Sequence, residues 1–337
     1  MTVRVKIDEL YTLAFNKLHA AGYPKDVAGE VADVLVHADS RGVHSHGVIR
    51  VEHYCQRLQQ GGMKPDAVIT AEKIAPSVAI VDGDDGMGHS AMIVATNTAM
   101  ALAQENAIGF VSVKNTSHCG ALSYFAQMAA EQGFISISMT QTDTCVAPFG
   151  GAERFWGTNP IAFGFPVENA APVIVDMATS ATAFGKLLHA KETGSKIDLG
   201  LAIDENGIET TDPHQAKTLL PFGQHKGSGI ALAIDALTGM LMGANFSNHI
   251  VRMYDDYDKM RKLASLMIVI DPSKFGGHNF ANMMAQMVSE LHQVKPAPGF
   301  DKVQAPGEPQ LTYLADCQEN GVPITESIYH YLAGKTE

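Results

Sequence analysis

The sequence predicts an α/β protein with a mixed sheet, flanked by an all-helical segment at its N-terminus. Three observations predict it. The first 60 residues show apolar positions at helical spacing and no strand-like run. From Val68 onward, short β-branched runs ended by turn residues alternate with Ala/Met-rich helical stretches. The chain has 337 residues, 46% of them hydrophobic and 18% charged, enough to bury a large core.

Ile7, Leu10, Leu13, Ala14 and Leu18 describe one helical face, and "AGYPKD" ends that helix and opens a second from about Asp26 to Ser40. "RGVHSHG" interrupts the pattern, which resumes at about Val48 and stops before "QQGGMKPD". Strands follow in "SVAIVDGDDG", "IGFVSVKNTSH", "GFISISMTQTD", "IAFGFPV" and "PVIVDMATS", with one more, "LMIVIDPSKF", late in the chain. "GSKIDLGLAIDENGIETTDP" predicts a hairpin or excursion turning at "ENG". "KPAPGFDKVQAPGEPQ" is expected to be a proline- and glycine-rich arm leading to a short helix near Ile324 to Leu332.

The formal charge of −12 repels nucleic-acid phosphates and anionic lipid, so neither partner is expected. Nothing in the chain reads as a signal peptide or a membrane span. Cys55, Cys119, Cys145 and Cys317 stand far apart without a CxxC pair, which predicts neither a zinc ribbon nor a disulfide framework and suits a reducing cytoplasm.

Walker A, HExxH and GxSxG are absent. "HKGSGIALAIDALTG" fails as a Rossmann fingerprint, because Leu232 stands where a third small residue is needed and no good strand precedes it. His44 and His46 could supply half of a metal site, but no companion ligand follows at suitable spacing, and no metal is expected. Were a helix to begin near His46, then His46, Arg50 and Tyr54 would share one face. An imidazole, a guanidinium fork and a phenol suit a small carboxylate, although a solvated face with an incidental arginine explains the same spacing. His118 follows a strand and precedes a helix expected from about Gly120, where a positive dipole end would keep its imidazole neutral and usable as a base. A capping histidine is the plainer alternative. Gln141, Thr142, Asp143 and Asn159 gather in a loop after a strand, Asp176 ends another, and Lys226 before two glycines could grip a phosphate. Cys119 reads as a buried structural thiol. A metal-dependent hydrolase or a non-enzymatic binding protein remain open on these residues. They converge on an α/β enzyme acting on a small anion.

The segments "RGVHSHGVIRVEHY", "SHCGALSYFAQMAAEQGFISISM", "VAPFGGAERFWGTNPIAFGFP", "DMATS", "TTDP", "HKGSGIALAIDALTGML" and "PGE", in this order, resemble the type 2 malate and L-lactate dehydrogenase family over nearly the whole chain. That resemblance implies a non-Rossmann NAD-binding fold of the L-sulfolactate dehydrogenase-like type. Its mixed-sheet core would span residues 66–299 with a small inserted subdomain, and its helical unit residues 1–65 joined by about 300–337. It implies NAD as cofactor, a 2-hydroxy acid substrate and a homodimer or higher assembly. By the same resemblance His118 is the proton acceptor, with Cys119 standing where the family has a serine. Arg50 holds the substrate carboxylate with His46 and Tyr54 beside it. Thr142, Asp176, Met177, Ala178, Lys226, Gly227, Gly307, Glu308 and Pro309 are the implied NAD contacts. Gln141 and Thr142 replace the asparagine–serine pair of many members, and with "SNHIVRMYDD" and "PAPGFDKVQAPGE" they resemble a branch acting on a ureido-substituted 2-hydroxy acid.

Overall fold

A computed structural model describes residues 2–276 and 279–334. In chain order the elements begin with strand β1 (Thr2–Val5), helices α1 (Ile7–Ala21), α2 (Lys25–Ser40) and α3 (Arg50–Gln59), then strands β2 (Thr70–Ala75) and β3 (Val78–Gly86). Next come α4 (Gly88–Asn106), β4 (Ile108–Thr116), α5 (Leu122–Ala130), β5 (Ile135–Thr140), β6 (Ile161–Phe165) and β7 (Val173–Met177). The excursion holds α6 (Phe184–Thr193), β8 (Ala202–Ile203) and β9 (Thr218–Leu219), and α7 (His225–Leu237) leads out of it. The chain returns through β10 (Leu263–Ile270) and α8 (Phe280–Gln293), and closes with α9 (Glu308–Asn320), β11 (Val322–Thr325) and α10 (Glu326–Ala333).

Seven strands form one sheet in the order β2-β3-β4-β10-β5-β6-β7. Only the β3–β4 pair is parallel, so the sheet is mixed as expected. β10 lies at the centre between β4 and β5, which is why "LASLMIVI" reads as an unbroken apolar run rather than an alternating one. Helices α4 and α5 cover one face, where Val81, Val111, Val113, Phe125, Met267 and Val269 share a core. A side chain at Gly109 would run into the Ala99 backbone, so glycine permits α4 to lie close on β4. On the other face Ile234 of α7 packs against Met139 and Leu266.

The helical layer has its own core. Leu10, Ala14 and Leu18 of α1 meet Val31 and Leu35 of α2 and Val51 and Tyr54 of α3. Cys317, Val322, Ile324 and Leu332 from the end of the chain belong to the same cluster. Gly22, at φ 117, ends α1 in the left-handed region, and its N–H bonds the His19 carbonyl. β1 pairs antiparallel with β11, which ties the start of the chain to its end. A third cluster joins Leu187, Ala202 and Leu219 of the excursion to Val146 and Trp156 of the loop between β5 and β6.

The structure corrects four local expectations. α3 begins at Arg50 rather than near Val48, after a 3-10 turn at His44–His46. α5 begins at Leu122, not near Gly120, because Gly120 has φ 80 and Ala121 is extended. The proline-rich arm is shorter than expected, since Glu308 starts α9 with a proline in its first turn, where the missing N–H is no loss. Ile324 lies in a strand, and the final helix starts at Glu326 after Thr325, whose hydroxyl accepts from the Ile328 N–H.

Candidate active site

The turn between α2 and α3 is built on Asp39, which is 2% exposed. Its carboxylate accepts from the Val48 N–H at 2.6 Å and bonds His44 Nδ1 at 2.8 Å. A side chain at Gly47 would land on that carboxylate, so glycine is required there. His44 Nε2 reaches the Tyr313 hydroxyl at 2.9 Å. The histidines of the HxH pair therefore diverge, and His46 alone enters the site, its ring stacked on His118 at 5.6 Å.

His46, Arg50 and His118 line one cavity of about 1140 Å³, together with Thr142, Asp143, Asp176–Ala178, Gly307 and Pro309. Single drug-sized ligands occupy roughly 300–1000 Å³, so this cavity has room for a long cofactor and a small acid together. His46 and Arg50 meet there although His46 lies outside α3. The 3-10 turn brings it round by one short step.

Tyr54 stands elsewhere than expected. It is fully buried and does not line the cavity; its hydroxyl lies 2.7 Å from His118 Nδ1, behind the ring. The Gly120 N–H also points at Nδ1, from 3.3 Å. Burial holds the His118 pKa well below its ordinary value, and the nearby His46, Arg50, His89 and Arg261 push the same way. The direction matches the expectation of a neutral imidazole, but burial rather than a helix end is the leading cause. His46 is pushed down to about 4 by burial and then by Arg50.

Arg50 is held at one edge, with Nε donating to the Ser45 carbonyl at 2.7 Å. Its Nη1 bonds the Tyr254 hydroxyl, and Nη2 has no partner among the described residues. Tyr254 comes from the segment between α7 and β10, which also brings Arg252, Met253 and Arg261 to the cavity. Arg261 and Asp143 form an ion pair whose arginine side chain is 1% exposed, and Asp143 also accepts from the Met253 N–H at 3.3 Å. Arg57, two turns along α3 from Arg50, is wholly buried. It donates to the carbonyls of Arg252, Met253, Asp256 and Lys259 at 2.7–3.1 Å.

The loop after β5 is pinned by Asn159, whose Oδ1 accepts from the Thr142 N–H at 3.1 Å and whose Nδ2 donates to the Ala231 carbonyl at 3.0 Å. Ser123 N–H donates to Asp176 at 2.8 Å. Gly307, at φ 92, leaves its α-carbon face close to Ile174. Three other expected contacts lie off the cavity wall. Lys226 and Gly227 sit at the start of α7, and a side chain at Gly227 would strike the Phe222 and Thr179 carbonyls, which gives that glycine a packing reason. Glu308 bonds His292 at 2.7 Å and the Ala305 N–H at 3.0 Å. Cys119 is buried, its thiol pushed up to about 12 by burial, as a structural thiol would be.

Sequence reasoning missed Arg57, Arg261, His89 and Tyr254. A faint signal existed for Arg57, because it falls at helical spacing from the buried positions Val51 and Tyr54 of an amphipathic helix. Among the described residues, no helix is long and apolar enough to cross a membrane.

Residues 5–333 match the malate/L-lactate dehydrogenase family. The chain is 40% identical to the ureidoglycolate dehydrogenase (NAD(+)) of Escherichia coli K12 over 331 residues, covering 98% of this chain and 95% of that one. Its structure resembles sulfolactate dehydrogenase from Methanocaldococcus jannaschii, with a TM-score of 0.92 at 33% identity over 98% of this chain and 95% of the other. It also resembles malate dehydrogenase from Pyrococcus horikoshii OT3, with a TM-score of 0.90 at 33% identity over 99% and 94%. A full-length match in sequence, joined to a shared mixed-sheet architecture, leaves one assignment: the chain belongs to the malate/L-lactate dehydrogenase family.

Proposed function

We propose that this protein oxidises (S)-ureidoglycolate to oxalurate with NAD as hydride acceptor, a step of allantoin breakdown. The observation that carries the reading is the meeting of Arg50, His46 and His118 on one cavity large enough for a dinucleotide and a small acid. The choice of acid leans on the 40% identity to the Escherichia coli enzyme.

Thr142, Asp176–Ala178, Gly307 and Pro309 would hold the cofactor along the cavity wall. NAD, when bound, takes the hydride from the substrate α-carbon. The chain supplies everything else. Arg50 pairs with the substrate carboxylate across its Nη1–Nη2 edge, the Tyr254 hydroxyl bracing Nη1, and fixes the α-carbon in place. His46, kept neutral by burial, adds an imidazole without adding a second charge beside Arg50. Asp143, on the same wall, offers acceptor oxygens for ureido N–H groups while Arg261 balances its charge. His118 Nε2, on the side of the ring away from Tyr54, takes the hydroxyl proton as the carbonyl forms.

The assay is NADH absorbance growth with purified protein, NAD and (S)-ureidoglycolate, run beside malate and lactate. A large preference for ureidoglycolate supports the reading. Turnover of another 2-hydroxy acid alone would keep the family chemistry and overturn the substrate.

The four cysteines are all unpaired, which suits a cytoplasmic setting. Leu232 and Leu237 of α7, with Met240 and Leu241 after it, stand 41–54% exposed as one apolar stretch, a surface suited to a second copy of the chain. Sedimentation at micromolar concentration should give twice the 36.0 kDa chain mass, and a monomer would refute the homodimer.

A further inference from the structure

Tyr54 does not line the cavity, yet its hydroxyl is the nearest polar atom to the rear nitrogen of His118, at 2.7 Å. Its ring is locked. It is fully buried, packed edge-on to His53 and His89, and its backbone carbonyl accepts from the Tyr23 hydroxyl at 3.0 Å. The only other polar group recorded at Nδ1 is the Gly120 N–H, at 3.3 Å, and an N–H can only donate. Gly120 thus favours the tautomer with Nδ1 bare and the proton on Nε2. That tautomer cannot accept a proton from substrate.

The phenol differs from the amide because it can either donate or accept. When it donates, it reinforces Gly120, and Nε2–H faces the cavity as a hydrogen-bond donor. When it accepts, Nδ1 carries the proton and Nε2 presents a lone pair. Once the substrate O–H bond breaks and its proton joins Nε2, the ring is a cation, and its Nδ1–H needs an acceptor. Among the described residues Tyr54 Oη is the one recorded acceptor there. A charge-assisted bond at 2.7 Å outweighs a misdirected amide at 3.3 Å.

We propose that Tyr54 is a positioning residue that selects the reactive tautomer of His118: by accepting Nδ1–H it frees Nε2 as the base and holds the imidazolium that forms. This rests on the dehydrogenase reading of His118. The proton balance is closed, with one proton passing from the substrate hydroxyl to Nε2, Nδ1–H retained throughout, and Tyr54 keeping its own proton. His118 then returns its extra proton to solvent when product leaves.

The test is Tyr54→Phe, which keeps the buried ring and removes only the hydroxyl. Gly120 would then hold His118 as the Nε2–H tautomer. The expected result is a kcat for hydroxy-acid oxidation about 10- to 100-fold lower, the range of a lost hydrogen bond to a charged group. The KM for the hydroxy acid should stay within about twofold, and a competitive keto acid, which accepts from Nε2–H, should bind as well or better. Nitrogen-15 imidazole shifts, assigned with His118→Asn, should move from a mixed or Nδ1–H signature toward Nε2–H. A purely structural role would instead lower stability and affinity together, leaving the tautomer signature alone, and that result would overturn the inference. So would an unchanged kcat. If Tyr54→Phe does not fold, 3,5-difluorotyrosine at position 54, assayed at a pH where absorbance shows that phenol protonated, keeps the shape while weakening the acceptor; kcat should fall, and an equal or higher kcat would sink the proposal. A wild-type protein that makes no NADH from any 2-hydroxy acid would refute the dehydrogenase reading itself, a separate outcome.

Discussion

Replacing Arg57 by methionine tests how the wall of the site is held. The guanidinium is fully buried and reaches four main-chain carbonyls of the segment that carries Met253 and Tyr254. Burial, with Arg261 next, pushes its pKa down only to about 10, so it stays charged near neutrality. Leaving a buried acceptor unsatisfied costs about 1–3 kcal/mol, so four carbonyls set a ceiling of about 4–12 kcal/mol. The segment itself is largely exposed at Arg252, Tyr254, Asp255 and Lys259, so part of it can lift and rehydrate. Stacking of the guanidinium over Tyr257, 5.3 Å from the ring centroid, adds about 1 kcal/mol. We expect Arg57→Met to lose about 3–5 kcal/mol in urea unfolding, in line with other broken buried charge contacts. Amide exchange over residues 252–259 should speed up more than exchange in β10, and KM for the hydroxy acid should rise, because Tyr254 and Met253 lose their position beside Arg50. Arg57→Lys should fall between, since one ammonium cannot span four carbonyls. Stability within 1 kcal/mol of wild type, with exchange over 252–259 unchanged, would refute the reasoning.

Three other outcomes follow from the same structure. His118→Asn should lower kcat by about 10²–10⁴ with NAD binding, read by protein fluorescence quenching, largely kept; normal turnover with lost NAD affinity would contradict the assignment of the base. Arg50→Lys should lower kcat/KM by about 10- to 100-fold, since a point charge cannot hold two carboxylate oxygens in plane, and a value equal to wild type would remove Arg50 from the site. Stability should fall on acidification because burial depresses five histidines. His37, His53 and His89 are pushed to about 3, His46 to about 4, and His118 lies well below its usual value. The unfolded chain binds protons below about pH 6.5 while the native state does not, so these groups cost nothing above pH 7 and destabilise progressively from pH 6.5 toward 4, by up to about 1.4 kcal/mol per histidine per pH unit. A urea midpoint flat between pH 6.5 and 4.5 would show that the imidazoles are hydrated rather than buried.

The sheet was legible because its strands are β-branched runs bounded by turn residues, and the central β10 shows itself as a run without alternation. Helix α9 was not, because "PAPGFDKVQAPGEPQ" presents prolines as breaks, and only the structure shows Pro309 in a first turn where it does no harm. β1 was hidden for a different reason: three residues of "VRV" mean little until β11 arrives from the far end to pair with them. At the site, the meeting of His46, Arg50 and His118 could be anticipated from motif order, but not the route. His46 arrives from a 3-10 turn and Tyr54 passes behind His118 instead of onto the cavity wall. Arg57 and Arg261 were illegible because arginine is expected at the surface, and the carbonyls that Arg57 meets lie some 200 positions away in the chain.

The β1–β11 pairing has a bearing on synthesis. Helix α3, which brings Arg50 to the cavity, leaves the ribosome early, yet the core beneath it includes Cys317, Val322, Ile324 and Leu332. At translation speeds of roughly 5–20 residues per second, the first helices wait on the order of 10–60 s before their last packing partners emerge. During that interval the apolar faces of α1, α2 and α3 have only each other. A premature stop near position 316 would do more than trim a tail, since it would leave the arginine and histidine of the opening turn on an unfinished platform.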